Sequence, residues 1–140
     1  ALEALARAPR RYQVYTTLGR IKMHQGDFEK GIIYLQQAIA LNDRFAETHW
    51  NLAIAYILSR QHELAAASLQ RAHELGYDIY TERSIDRLFS AYRDSRDLDA
   101  AIAFLNDMHT RFPDIELYTK TLEELNALRE QIVDSVEEAR

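Results

Sequence analysis

The chain contains no cysteine. That excludes disulfides, thiolate metal sites and cysteine nucleophiles, without fixing a compartment. Proline and glycine are scarce, at 2 and 4 of 140 residues. The glycines are scattered, so no glycine-rich loop cradles a phosphate, and a GxSxG turn is missing. No apolar run approaches the roughly 20 residues that span a bilayer; the longest useful stretch is Leu52–Leu58. Positive charge is short as well. The net charge is −5, and binding along a phosphate backbone needs a surplus of Lys and Arg, so nucleic acid is not an expected partner. His24, His49, His62, His73 and His109 form no HExxH or close helical pair. Carboxylate pairs such as Asp97/Asp99 and Glu123/Glu124 read as helix caps and solvated faces, because a general acid needs a desolvated pocket. No catalytic residue, metal or cofactor is expected. Alternating apolar runs joined by hairpin turns are lacking, so no strand is expected either.

What is present is a period. Leu18 returns as Leu52, Ala38 as Ala72 and Leu41 as Leu75, each 34 residues on. Gly19 maps to Ala53 and Gly31 to Ala65. From Leu52, Tyr56, Ala65 and Leu69 the series reaches Leu88, Tyr92, Ala101 and Leu105 at a spacing of 36, which places a two-residue insertion in Gly76–Ile79. A period of this size marks a helical solenoid, whose units each pair two helices that cannot bury their apolar faces alone. Breakers set the helices at about 1–8, 12–25, 28–41, 46–59, 62–75, 81–95, 98–112 and 115–137. Gly26 and Gly76 end helices by accepting positive φ. Asp27, Thr81, Asp97 and Asp114 are candidate caps, and Pro113 halts the helix before it. Small residues at Gly19, Gly31, Ala38, Ala53, Ala65 and Ala72 let paired helices approach closely. Tyr15, Leu18, Phe28, Leu35, Ile39, Leu41, Leu52, Tyr56, Leu64, Leu69 and Leu75 are expected to fill the space around them.

These landmarks resemble the tetratricopeptide repeat family. The first unit reads Tyr15, Leu18, Gly19, Gly26-Asp27-Phe28, Gly31, Ala38 and Leu41. The second reads Trp50-Asn51-Leu52-Ala53, Tyr56, Ala65, Ala72 and Leu75. The third reads Leu88, Tyr92, Leu98, Ala101, Leu105 and Phe112-Pro113. The resemblance implies an all-α, right-handed superhelical solenoid of antiparallel helix pairs. Its parts would be a remnant of a preceding repeat at 1–11, repeats at 12–45, 46–79 and 80–115, and a capping helix at 116–140. The alternative for the last helix is the start of a fourth unit.

In this family the first helix of each pair lines a concave groove that takes a peptide or helix of a partner. The resemblance therefore implies a non-catalytic interaction module. Its groove residues would be Thr16, Arg20, Met23, Trp50, Asn51, Ile54, Ile57, Arg83, Arg87 and Arg93. That is an apolar centre with an exposed tryptophan, bordered by arginines. Asn51, Arg83 and Arg87 also match places in the carboxylate clamp of chaperone-binding members. Thr16 stands where a Lys is expected, and Arg20 where an Asn is expected, so the clamp is incomplete. Arg forks suit a carboxylate, which makes an acidic group or C-terminal carboxylate the ligand implied. The opposing reading pairs these arginines with Glu47, Asp86 and Asp94.

Pro9 falls in phase with Pro113, and Ala4 lies 34 before Ala38. Leu2, Ala4 and Leu5 thus read as the end of a second helix, and with no initiator Met the chain is expected to be a piece of a longer protein. A second function class follows: the soluble repeat region of a larger bacterial envelope protein, or an array that associates with itself through Leu2/Leu5 or the last helix. Thr48–Tyr56 and Leu75–Asp78 are similar to repeats on O-antigen polymerase/ligase-like proteins, which would set the domain in a bacterial cytoplasm or periplasm.

Overall fold

The structure is a computed structural model that describes the backbone of residues 2–140 and side chains from Arg11 onward. Among the described residues there are seven α-helices and no strand. The chain divides into two compact units, the first ending at Ala91 and the second running Tyr92–Arg140.

The first unit holds α1 (Leu2–His24), α2 (Phe28–Leu41), α3 (Ala46–Leu58), α4 (His62–Glu74) and most of α5 (Glu82–Asp94). Helix α1 packs on α2, α2 on α3, and α3 on α4. Each pair closes through one turn conformation. After α1, Gly26 adopts φ +82° and the Asp27 N–H reaches back to Lys22 O at 2.9 Å. After α3, Arg60 takes φ +61° and Gln61 N–H reaches Tyr56 O at 2.8 Å. Arg60 lies 34 residues after Gly26, so the left-handed geometry repeats although the residue that accepts it without cost does not. The Asp27 side chain accepts from Lys30 N at 3.2 Å and caps α2, and Thr81 Oγ1 accepts from Ser84 N at 3.1 Å at the start of α5.

The small residues sit where the helices touch. A Cβ on Gly19 would lie 2.6 Å from Leu35 Cγ and 3.0 Å from Gly31 O, so α1 and α2 meet backbone to side chain. Ala38, Ala53, Ala65 and Ala72 are all buried. Thr16 and Thr48 bridge α1 and α3 through hydroxyls 2.7 Å apart, while Thr16 donates to Tyr12 O at 2.8 Å. His49 Nε2 lies 2.8 Å from Asp43 O and ties α3 to the loop before it.

The second unit contains α6 (Leu98–Arg111) and α7 (Glu116–Glu138). Asp97 caps α6 through Ala100 N at 3.1 Å, and Arg96 adopts φ +56° in the preceding turn. Tyr92 stacks on Phe104 with centroids 5.0 Å apart. His109 Nδ1 meets Thr119 Oγ1 at 3.0 Å, and Arg129 meets Asp99 at 3.4 Å, so α7 runs antiparallel to α6. With 23 residues against 14, α7 outruns its partner once Arg129 is passed.

Four expectations change. Helix α1 is continuous through Pro9, with no break at 8–12; proline's φ is itself helical, so a helix can carry it, at the cost of one hydrogen bond and of crowding between the ring and the carbonyl one turn back. The readings built on the side chains of Leu2, Ala4 and Leu5 lie outside the described residues. Asp114 does not cap α7: Ile115 holds the cap position without a side-chain bond. Leu41 and Leu64 are exposed; Leu41 is the last residue of α2 and Leu64 lies in the first turn of α4. The last helix covers α6 with Tyr118, Leu122 and Leu125, whereas every residue from Ala127 to the end is exposed.

Candidate functional site

A cleft of about 740 Å³ opens on the first unit, lined by α1, α3, the loop after α4 and the first turns of α5. The stacking of helices at a fixed period brings Arg20, Asn51 and Arg83/Arg87 to one hollow from positions far apart in the chain. The α4–α5 loop contributes the two-residue insertion, and with it Tyr77. Its ring lies on the Trp50 indole, centroids 4.6 Å apart and planes 16° from parallel. Gly76, at φ +97°, makes the turn that delivers it, and Tyr77 N–H is fixed to Ala72 O at 2.9 Å. Burial raises the Tyr77 phenol above its ordinary pKa; the Glu47 charge adds to this and the Arg83 charge opposes it.

The charges are unevenly satisfied. Arg20 and Glu47 approach to 3.8 Å across one wall. This pair also borders a second hollow of about 240 Å³ reaching Gln13 and Phe45. Arg83 and Arg87, one helical turn apart on α5, form no ion pair among the described residues, although Asp86 lies between them. Asn51 is only 9% exposed, and its Nδ2 has no hydrogen-bond partner. A buried donor left unmet costs about 1–3 kcal/mol, and because this nitrogen is closed to solvent, an acceptor in the cleft meets it only when the Asn51 side chain turns outward.

The expected groove residues separate into two sets, with Arg93 outside both. Arg20, Trp50, Asn51, Arg83 and Arg87 line the cleft together. Thr16, Met23, Ile54 and Ile57 are buried, Ile54 and Ile57 at 1% exposure; Thr16 borders the second hollow, and none of the four lines the main cleft. Helix α3 has α1, α2 and α4 against it, so nearly all of Thr48–Ile57 is enclosed. Trp50 is likewise not an exposed anchor. It is 6% exposed and forms the floor beneath Tyr77. Arg93 belongs to the second unit, where it faces Asp94 at 3.7 Å. The lining residues missed were Tyr77, Asp78, Thr81 and Ser84. The insertion Gly76–Ile79 was the available signal for the first, since extra residues in a fixed period must be accommodated in a loop.

Among the described residues, no group of three His, Asp or Glu side chains could hold a metal, and no helix is long and apolar enough to cross a membrane. No curated protein matches the chain. The family model of the tetratricopeptide repeat matches residues 12–45, the segment that forms the α1–α2 pair from Tyr12 onward. Members of that family are in general protein–protein interaction modules without catalytic activity. With paired helices returning at one period and the family's model on the first pair, the chain carries a tetratricopeptide repeat at residues 12–45.

Proposed function

We propose that the chain is a non-catalytic interaction module whose cleft receives an acidic segment of a partner protein, with a side-chain or C-terminal carboxylate seated between Asn51, Arg83 and Arg87. The observation that carries this reading is the set of unmet donors: a buried amide without an acceptor beside two arginines that form no ion pair among the described residues, although Glu47, Asp78 and Asp86 share the lining. Guanidinium forks match carboxylates in shape as well as charge. The Trp50–Tyr77 stack offers a rigid apolar surface next to them, and aromatic and Arg side chains dominate protein recognition.

Trp50 is the only tryptophan and so reports on this cleft. Peptides ending in Asp or Glu with a free carboxylate should change its emission on titration, and their C-terminally amidated forms should bind more weakly. The double change Arg83→Ala/Arg87→Ala should cost about 1 kcal/mol or more, that is, about fivefold or more in affinity. Equal affinity of the variant, or binders that leave Trp50 emission unchanged, would move the site elsewhere.

A further inference from the structure

Two apolar stripes lie outside the cleft, and each remains uncovered. On α1, Val14 and Ile21 are 58% and 44% exposed, with Leu18 half-buried between them. Their spacing of i, i+4 and i+7 sets them along one face. The chain from Arg11 to Gly26 carries Arg11, Arg20 and Lys22 and no carboxylate. The second stripe lies on α7 past Arg129, where α6 has ended. Ile132, Val133 and Val136 are each about half exposed there. Ile132 and Val136 continue the stripe that Tyr118, Leu122 and Leu125 begin against α6. Around them, past Arg129, α7 carries four carboxylates, Glu130, Asp134, Glu137 and Glu138, and no cation.

The two stripes match in chemistry and oppose in charge. Pairing α7 with α7 of a second copy would set two acidic helices side by side, and pairing α1 with α1 would do the same with cations; like charges across an interface are penalised. Pairing α1 with α7 satisfies both the apolar area and the charge. We propose that the free C-terminal half of α7 in one copy docks on the Val14–Leu18–Ile21 stripe of a second copy. The contact is heterologous, made of two different patches, so each copy retains one patch of each kind for a further neighbour.

Complementation tests this directly. Ile21→Asp removes the α1 patch and leaves α7 intact. The double change Ile132→Asp/Val136→Asp removes the α7 patch and leaves α1 intact. All three positions are exposed, and unchanged helicity by circular dichroism verifies that each variant is folded. Sedimentation velocity from about 10 μM to about 1 mM should show the average mass of the wild type rising with concentration, an association range set by contacts of this modest size. Raising the salt to about 1 M should weaken that association severalfold, because it shortens the screening length to about 3 Å. Each variant alone should stay monomeric, and an equimolar mixture should form a one-to-one dimer and nothing larger. A monomeric wild type at the highest concentration, self-association of Ile21→Asp alone, or a mixture that stays monomeric would each overturn the proposal. No residue changed here lines the cleft, so peptide binding by the same variants reports on the cleft separately.

Discussion

Replacing Gly19 by alanine sets two effects of opposite sign against each other. Glycine within a helix is about 1 kcal/mol less favourable than alanine, so propensity alone predicts stabilisation. The new methyl, however, would lie 2.6 Å from Leu35 Cγ, 2.9 Å from its Cδ2 and 3.0 Å from the Gly31 carbonyl oxygen, whereas carbon atoms pack at about 3.5–4.0 Å. Leu35 has no exposed surface into which to swing, and the carbonyl belongs to the backbone of α2. Overpacking of this kind costs about 1–3 kcal/mol. The net expectation is a loss of up to about 2 kcal/mol, with α1 and α2 pushed apart. Gly31→Ala is the counterpart. Its nearest neighbours would be Met23 Cγ at 2.9 Å and the Gly19 carbonyl oxygen at 3.1 Å, the same close approach met from α2, so its loss should be comparable, eased only as far as the thioether chain of Met23 gives way. Leu35→Ala, which by itself costs about 2–5 kcal/mol, should cost less in the Gly19→Ala background, because the methyl occupies part of the cavity. The coupling should reach about 0.5 kcal/mol or more. Urea denaturation followed by Trp50 fluorescence reads the first unit, with an unchanged slope as the sign that only stability has moved. A higher midpoint for Gly19→Ala than for wild type would show that propensity wins and that the close approach of α1 and α2 is wrong.

Two further outcomes follow from the second unit and from the caps. Burial, and then the Asp107 charge, raise the Tyr92 phenol above 10.0; the neutral form is thus favoured in the folded state, and its contribution is complete below pH 10 and lost as pH rises through the folded value. Tyr92→Phe should retain the ring against Phe104 yet flatten the fall in stability above about pH 10, measured as urea midpoint against pH; an identical slope in wild type and variant would refute it. Asp27→Ala removes the acceptor for Lys30 N and should lower stability by about 0.5–2 kcal/mol, while Asp114→Ala, at a residue that caps nothing, should stay within about 0.5 kcal/mol. Equal losses in a paired denaturation series would contradict the cap assignments.

Much of the fold could be read in the chain because its signals are local. A helix start depends on an oxygen a few atoms from the backbone, so Asp27 and Asp97 were legible as caps. The end of a helix depends on one residue's tolerance for positive φ, so Gly26 and Gly76 were legible too. Arg60 and Arg96 adopt the same backbone region and could not be read, since no property of arginine announces it. Pro9 misled for the opposite reason. A strong breaker by rule is carried within α1.

The period of 34 and the small residues along it determine, without coordinates, that helices pair and which faces meet. Which of those faces stays open is a different matter. Exposure depends on what lies opposite, and that is settled by helices distant in the chain. Ile54 and Ile57 hold the same kind of position as Asn51, yet they are sealed while Asn51 borders the cleft. Trp50 is covered by Tyr77, which only the folded loop brings within 4.6 Å. Arg83 and Arg87 form no ion pair among the described residues, although Asp86 is their neighbour in sequence and lines the same cleft. Spacing along the helix would permit an Arg83–Asp86 pair, since residues three apart share a face; the placement of the side chains in the folded cleft decides that they do not meet.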